Sequence, residues 1–369
     1  MKNQKVPGKK ITAIIALYLI GSSLVESSVS GAARQDSWFC VLLATGLALL
    51  LAWLYSSILR LHPGKGLFDI AVETLGAILG KIVCAIFVLY AVYLAAQIIR
   101  VFEEFVHLVN LPETPEIAML IFTVPLVAWQ VRSGLNNMAS VSAFLLPFLI
   151  LFAVTTFMLG MKFMDPENIR PILSAKPTQM LKATIGVLAL PYGETILCTS
   201  FFGEVDQKES PFKIMAFGIL IAGAVLVMAR LRNLLILGSA TVQMYLFPSY
   251  DAVGVISLGD FVTRISVLIG VNLVLAGIIK VSAYLYSATL GISRILEIRD
   301  FLSPAVSCCL LVAGISGILY SNILDGMEFI NIMPYYSVWF QIFLPAVILI
   351  AGKLKKKTAG GKKKPEKDG

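Results

Sequence analysis

The chain has 369 residues, 58% hydrophobic and only 14% charged, against about a quarter charged in an ordinary soluble domain. Its apolar residues come in runs of roughly 20, the length a helix needs to cross a hydrocarbon core about 30 Å thick, which excludes a soluble fold and indicates an all-α polytopic protein of the lipid bilayer. The net charge of +8 is not a nucleic-acid footprint, because lysines gather at the two ends, MKNQKVPGKK and KLKKKTAGGKKKPEKDG, as membrane-flanking segments.

In chain order the runs predict about ten transmembrane helices, near 11–33, 38–59, 77–106, 116–131, 138–161, 181–203, 212–235, 260–290, 304–323 and 334–352. The first run continues too far for a cleavable leader and lacks a small-residue cleavage site. Segment 238–259 is rich in Gly, Ser and Pro and is read as a loop with a short interfacial helix. With the N-terminus inside, Lys and Arg concentrate on the inner side, so both termini are expected in the cytoplasm and the number of spans is even. The chain then divides into a basic N-tail (1–10), a first five-helix repeat (11–161), an outer loop (162–180), a second five-helix repeat (181–352) and a disordered basic tail (353–369).

The first span contains LIGSSLVESS (19–28), where Gly21, Ser22 and Ser23 interrupt the apolar run and Glu26 follows. The sixth contains LALPYGETIL (188–197), where Pro191, Tyr192, Gly193 and Glu194 do the same. Proline removes a backbone donor and glycine eases departure from helical geometry. In lipid such a break survives only where protein or a cavity covers it, and a carboxylate there needs a partner. Taken alone, Pro191 could be a plain kink with Glu194 in an internal salt bridge. A shift of 172 positions, however, brings Gly21 onto Gly193 and Ser22 onto Glu194, so the interrupted helices open two halves of five spans each. Five is odd, so the halves are inverted, the 5+5 pattern of a transporter core with a midplane site. Half-helix N-termini suit a carboxylate and unwound carbonyls suit an ammonium group. A small amino acid offers both charges, although another small polar solute or an ion pathway also fits.

On the third span Tyr90, Tyr93, Gln97, Arg100 and Glu104 recur at steps of three and four and share one face. Tyr90 and Tyr93 are candidate site-lining residues. Gln97 and Arg100 are possible charge partners, unless Arg100 and Glu104 simply pair near the outer interface. Lys280 in the eighth span either neutralises Glu194 or Glu26, stands where ion-coupled transporters hold sodium, or snorkels to the cytoplasmic surface. Tyr284 and Tyr286 read as packing residues. The five cysteines and two histidines have no metal-ligand spacing, and no phosphate loop, nucleophile elbow or His-Glu-x-x-His pair occurs. No cofactor, metal or enzymatic activity is expected.

AARQDSWF (32–39), with Gln35-Asp36-Ser37-Trp38 at its centre, LALPYGETILCTSFF (188–202) and the basic C-tail together resemble the spore germination permease family. These are B subunits of nutrient germinant receptors, a branch of the amino acid–polyamine–organocation superfamily. The resemblance spans the whole chain. It implies a leucine-transporter-like fold, a site that senses a germinant such as L-alanine or another small amino acid, partner A and C subunits, and the spore inner membrane. Three readings stand: a nutrient sensor, a proton- or sodium-coupled amino acid permease, and a membrane scaffold with a vestigial pocket. The resemblance favours the first.

Overall fold

The computed structural model describes residues 5–23, 30–109, 116–206, 208–256, 263–298, 300, 303–320 and 322–361. Among them seven helices are long and apolar enough to cross a membrane, and Ile117–Arg132 and Ala305–Leu319 are shorter apolar helices. In chain order the elements are α1 (Gly8–Ile20), α2 (Ser37–Leu59), α3 (Leu67–Leu75), α4 (Ala77–Val109), α5 (Glu116–Arg132), α6 (Leu135–Gly160) and α7 (Pro177–Val187). After α7 the sixth span continues through a wide turn, Leu188–Tyr192, into a tighter 3₁₀ segment, Gly193–Glu204. There follow α8 (Pro211–Leu237), α9 (Ser239–Met244), α10 (Pro248–Ile256), α11 (Thr263–Leu296), α12 (Ala305–Leu319), α13 (Ile323–Val338) and α14 (Leu344–Gly361).

Helices therefore stand where the apolar runs predict spans, and the expected all-α architecture holds. Three details differ. The first span is helical only to Ile20 before it turns at Gly21, and Glu26 lies outside the described residues. The tenth span starts at Ile323, eleven residues before the apolar run, because the Asn322 side chain accepts from the Asp325 amide at 3.0 Å and caps a polar first turn that hydropathy does not register. Segment 238–259 carries two short helices, α9 and α10, where one was expected.

The second span is apolar on both its outward and its inward face. On α2, Leu42, Leu43, Leu47, Leu50 and Trp53 point outward, Leu50 with 64% of its surface free, while Ala44, Ala48 and Tyr55 are buried in the bundle. Such an outward face suits hydrocarbon. Because lipid is as apolar as leucine, helices associate through close packing, which small residues permit. Accordingly α8 meets α1 at Gly218, where a β-carbon would stand 2.7 Å from Ile15 Cγ2. Elsewhere α11 runs along α4, and α8 also packs on α2. At one end of the bundle the Val6 amide donates to the Glu204 carbonyl and the Asp206 amide to the Val6 carbonyl, each at 2.9 Å, tying the N-terminal segment to the end of the sixth span.

The Gln-Asp-x-Trp motif has a structural role at the opposite end of that span. Asp36 is fully buried and accepts from the Leu173 amide at 2.7 Å and the Ala175 amide at 2.8 Å. Gln35 Nε2 donates to Ser174 Oγ at 2.7 Å, and Arg230 Nε donates to Ser37 Oγ at 2.9 Å. The motif thus clasps the loop that leads into α7 to the start of α2. Replacing Asp36 by alanine strands two backbone donors, each costing about 1–3 kcal/mol when buried. Asp36→Ala is therefore expected to lower the thermal unfolding midpoint of the detergent-solubilised protein, and an unchanged midpoint would mean that the clasp does not hold the loop.

Candidate functional site

The sixth span breaks because of its proline. A residue before proline is pushed away from helical backbone, and Leu190 accordingly sits at φ −131°, ψ 111°. Three carbonyls around the break accept side-chain donors from other spans. Gln341 Nε2 donates to Ala189 O at 2.8 Å, the Tyr55 hydroxyl lies 3.0 Å from Gly193 O, and the Tyr18 hydroxyl donates to Glu194 O at 2.9 Å. Tyr192 is fully buried, its hydroxyl 2.6 Å from Thr45 Oγ1. Gly193 has no room for a side chain, since a β-carbon there would overlap the Gln341 amide. In the first span α1 closes with the Gly21 amide donating to Leu17 O at 2.8 Å. A β-carbon at Gly21 would stand 2.8 Å from the Ala276 carbonyl of α11, so glycine is what lets this break press against the eighth span.

Between the two breaks lies one buried ion pair. Lys280 Nζ donates to Glu194 Oε2 at 2.6 Å, and both side chains are essentially inaccessible. The same ammonium donates to Ser22 Oγ and stands 4.8 Å from the Tyr18 ring centre. Tyr284, one turn beyond Lys280, donates its hydroxyl to Glu194 Oε2 at 2.6 Å and packs edge-on against Tyr18 with ring centres 5.1 Å apart. Lys280 therefore points into the bundle and does not snorkel. Desolvating two ions is repaid only with good geometry and additional hydrogen bonds. Here Ser22 and Tyr284 supply them, and both ring faces favour the cation.

Of the residues singled out from the sequence, Ser22, Glu194 and Lys280 are in direct contact, with Gly21, Pro191, Tyr192 and Gly193 shaping the backbone around them. Tyr90 reaches the sixth-span break only through Gln341, whose Nε2 donates to the Tyr90 hydroxyl at 2.9 Å, and its ring stacks on Phe340 with centres 4.4 Å apart. Tyr93 faces the ninth and tenth spans, its hydroxyl 3.3 Å from that of Tyr320 and 3.1 Å from that of Tyr336. Gln97 is buried further along the same helix, and Arg100 pairs with Glu104 at 2.8 Å. Ser23 borders a separate cavity beside α8. Tyr18, Tyr55 and Gln341 were not singled out, and Tyr284, expected to be a packing residue, instead hydrogen-bonds the Glu194 carboxylate. Tyr18 lies four residues before Ser22 and Tyr284 four after Lys280, so each shares a helix face with a site residue.

The site centres on the buried Lys280–Glu194 pair. It holds one positive and one negative charge whose partners are each other, at the meeting point of two interrupted helices.

The chain matches the spore germination protein family over residues 5–328. It is 24% identical to spore germination protein KB of Bacillus subtilis (strain 168) over 362 residues, which is 97% of each chain. Among solved structures, the nucleobase-cation-symport-1 family transporter Mhp1, in a closed conformation with bromovinylhydantoin bound, superposes with a TM-score of 0.70 at 12% identity, covering 94% of this chain and 78% of that one. The Eremococcus coleocola manganese transporter superposes at 0.63 with 13% identity, over 93% of this chain and 78% of its own. The chain belongs to the spore germination protein family and has the leucine-transporter-like fold of these transporters; it is a multi-pass membrane protein of spores.

Removing one partner of a buried ion pair strands the other, at a cost of about 3–5 kcal/mol. Lys280→Met and Glu194→Gln are each expected to destabilise the protein strongly, whereas the double variant is expected to recover part of the loss. A thermal-unfolding cycle in one detergent checks this, and strictly additive losses would show that the two groups do not depend on each other.

Proposed function

We propose that this chain is the nutrient-sensing subunit of a spore germination receptor, a permease-like protein that binds a small amino acid between its first and sixth spans and passes the change to partner subunits. The observation that carries the reading is the Glu194–Lys280 pair at the meeting of the two breaks. An amino acid zwitterion bears the same two charges on groups attached to one carbon. Its ammonium can take the place of Lys280 at Glu194, and its carboxylate can take the place of Glu194 at Lys280. Exchange of partners then opens the pair without leaving either charge bare, which a neutral solute or a single ion cannot do. The amides and carbonyls around Gly21 and Gly193 provide further polar contacts for the same two groups.

Family membership supports a receptor role over catalysis, and it supports A and C subunits as the partners and the spore inner membrane as the location, while the Lys and Arg distribution supports both tails in the cytoplasm. Seating the ligand biases the chain between closed and open arrangements only by its differential affinity for the two. A second reading, a proton- or sodium-coupled amino acid permease, draws its support from the transporter fold that the chain shares with Mhp1.

The test uses purified full-length protein in liposomes, with labelled L-alanine and a panel of other amino acids, in the presence and absence of proton and sodium gradients. Saturable binding without accumulation is expected, and accumulation driven by a gradient would replace sensing by transport. Glu194→Gln, inserted and folded, is expected to abolish both amino acid binding and the germination response; a normal response in that variant would remove Glu194 from the mechanism.

A further inference from the structure

The break in the first span has a second polar neighbour, on α8. Arg232 is 4% exposed, and every acceptor it meets is neutral. Its Nε and Nη2 donate to Asn233 Oδ1 at 3.2 and 2.9 Å, Nη1 donates to Thr156 Oγ1 at 2.8 Å, and Nη2 also reaches the Ser249 carbonyl at 3.3 Å. A guanidinium has five N–H groups, so these contacts leave one Nη1 donor unused. Among the described residues no carboxylate lies within ion-pair distance of it. Neutral dipoles spread a charge without cancelling it, and a buried arginine that no described carboxylate pairs is expensive.

Arg232 borders a cavity of about 70 Å³ that reaches the first-span break at Ile20 and Ser23. The Ser23 hydroxyl is buried there without a hydrogen-bond partner. The remaining wall is largely apolar, with Leu149 and Phe152 of α6, Val225 of α8 and Leu273 of α11. The described lining residues include no Asp or Glu, so nothing there complements an ammonium group. A water molecule needs about 10–15 Å³ of such space, so the cavity holds on the order of five non-hydrogen atoms.

We propose that this cavity is a second ligand site, distinct from the Glu194–Lys280 pair, which takes a short-chain monocarboxylate such as propionate or butyrate. The carboxylate completes the hydrogen bonding of Arg232 and Ser23 and supplies a counter-charge that no described residue provides, while the two- or three-carbon tail fills the apolar end. Because Ile20 and Ser23 flank Gly21 and Ser22, an occupant bears directly on the break that also meets Lys280. The inference does not depend on which nutrient the Glu194 site takes.

The test is equilibrium binding of radiolabelled butyrate to the full-length protein in lipid nanodiscs. Saturable binding is expected, displaced by propionate and not by n-butylamine. Arg232→Gln is expected to weaken it by about tenfold to a hundredfold, the loss of one charge-assisted hydrogen bond. Ala153→Leu, which fills the cavity from α6 and leaves the arginine in place, is expected to abolish it and answers the question even if the arginine variant fails to fold. Absence of saturable binding, equal displacement by n-butylamine, or full binding in Ala153→Leu would each overturn the proposal.

Discussion

In hydrocarbon a backbone group that leaves its helix has no water to turn to, and the sixth span leaves helical geometry at Leu190-Pro191. Most of the architecture around the site follows from that constraint. Pro191 opens the helix, and the Ala189, Gly193 and Glu194 carbonyls around the opening accept side-chain donors from other spans. Those donors are Gln341 of the tenth span, Tyr55 of the second and Tyr18 of the first. Three helices distant in sequence are therefore held at one point by the hydrogen bonds that the break demands. The Tyr55 hydroxyl also lies 2.9 Å from the Gln341 carbonyl, which joins two of those donors to each other. The break is a junction on which the bundle converges, and a residue altered in any of the three donor spans is felt at Glu194.

The same economy governs the charges. Glu194 leaves the broken span with its carbonyl bound by Tyr18 and its carboxylate bound by Tyr284 and Lys280. Tyr18 and Tyr284 also contact each other, so the first and eighth spans close over the carboxylate as a unit. Gly21 makes this closure possible by letting the first-span break approach the Ala276 carbonyl. A methyl group at that position would separate Ser22 from Lys280. Backbone shape and electrostatics are thus one problem: the absence of a side chain at Gly21 is a condition for the solvation of Lys280.

How much of this the sequence discloses depends on whether a feature is local. Pro191, Gly193 and Glu194 interrupt an apolar run, and Lys280 is a charge within another, so both are visible without a structure. That Lys280 meets Glu194 is a contact across 86 residues, which no periodicity records. The third-span stripe has the opposite character. Its helical spacing is plain, but spacing fixes only a face, and that face turns chiefly to Tyr320 and Tyr336 while Tyr90 alone touches the network through Gln341. Gln341 was hidden because the tenth span was read for hydropathy, and one amide among WFQIF does not lower the average enough to draw notice. Tyr18 was hidden, and Tyr284 read as packing, because tyrosine is ordinary in membrane helices. Only their spacing of four from Ser22 and Lys280 marks them, and that mark acquires meaning once the partner residues are known.

The nature of the positive charge beside Glu194 bears on what the fold can do. A transported cation must bind, cross and leave, and its gradient supplies energy because it leaves. Lys280 places an equivalent charge against Glu194 but is covalently fixed to the eighth span, so it dissipates no gradient. Any energy coupling through this pair would have to use the one part of an ammonium group that can depart, a proton. If that proton left the pair rather than passing to Glu194, Glu194 would remain as an unpaired buried carboxylate, with Tyr284 and Ser22 too weakly polar to replace the charge. A ligand that brings its own ammonium removes this difficulty, because it supplies the cation at the moment the lysine withdraws. On the proposed sensing role, such an intrinsic ion pair fits a cycle in which the ligand opens the site and its departure recloses it, with no ion consumed. That cycle is sufficient for sensing and insufficient for concentrating a solute against its gradient.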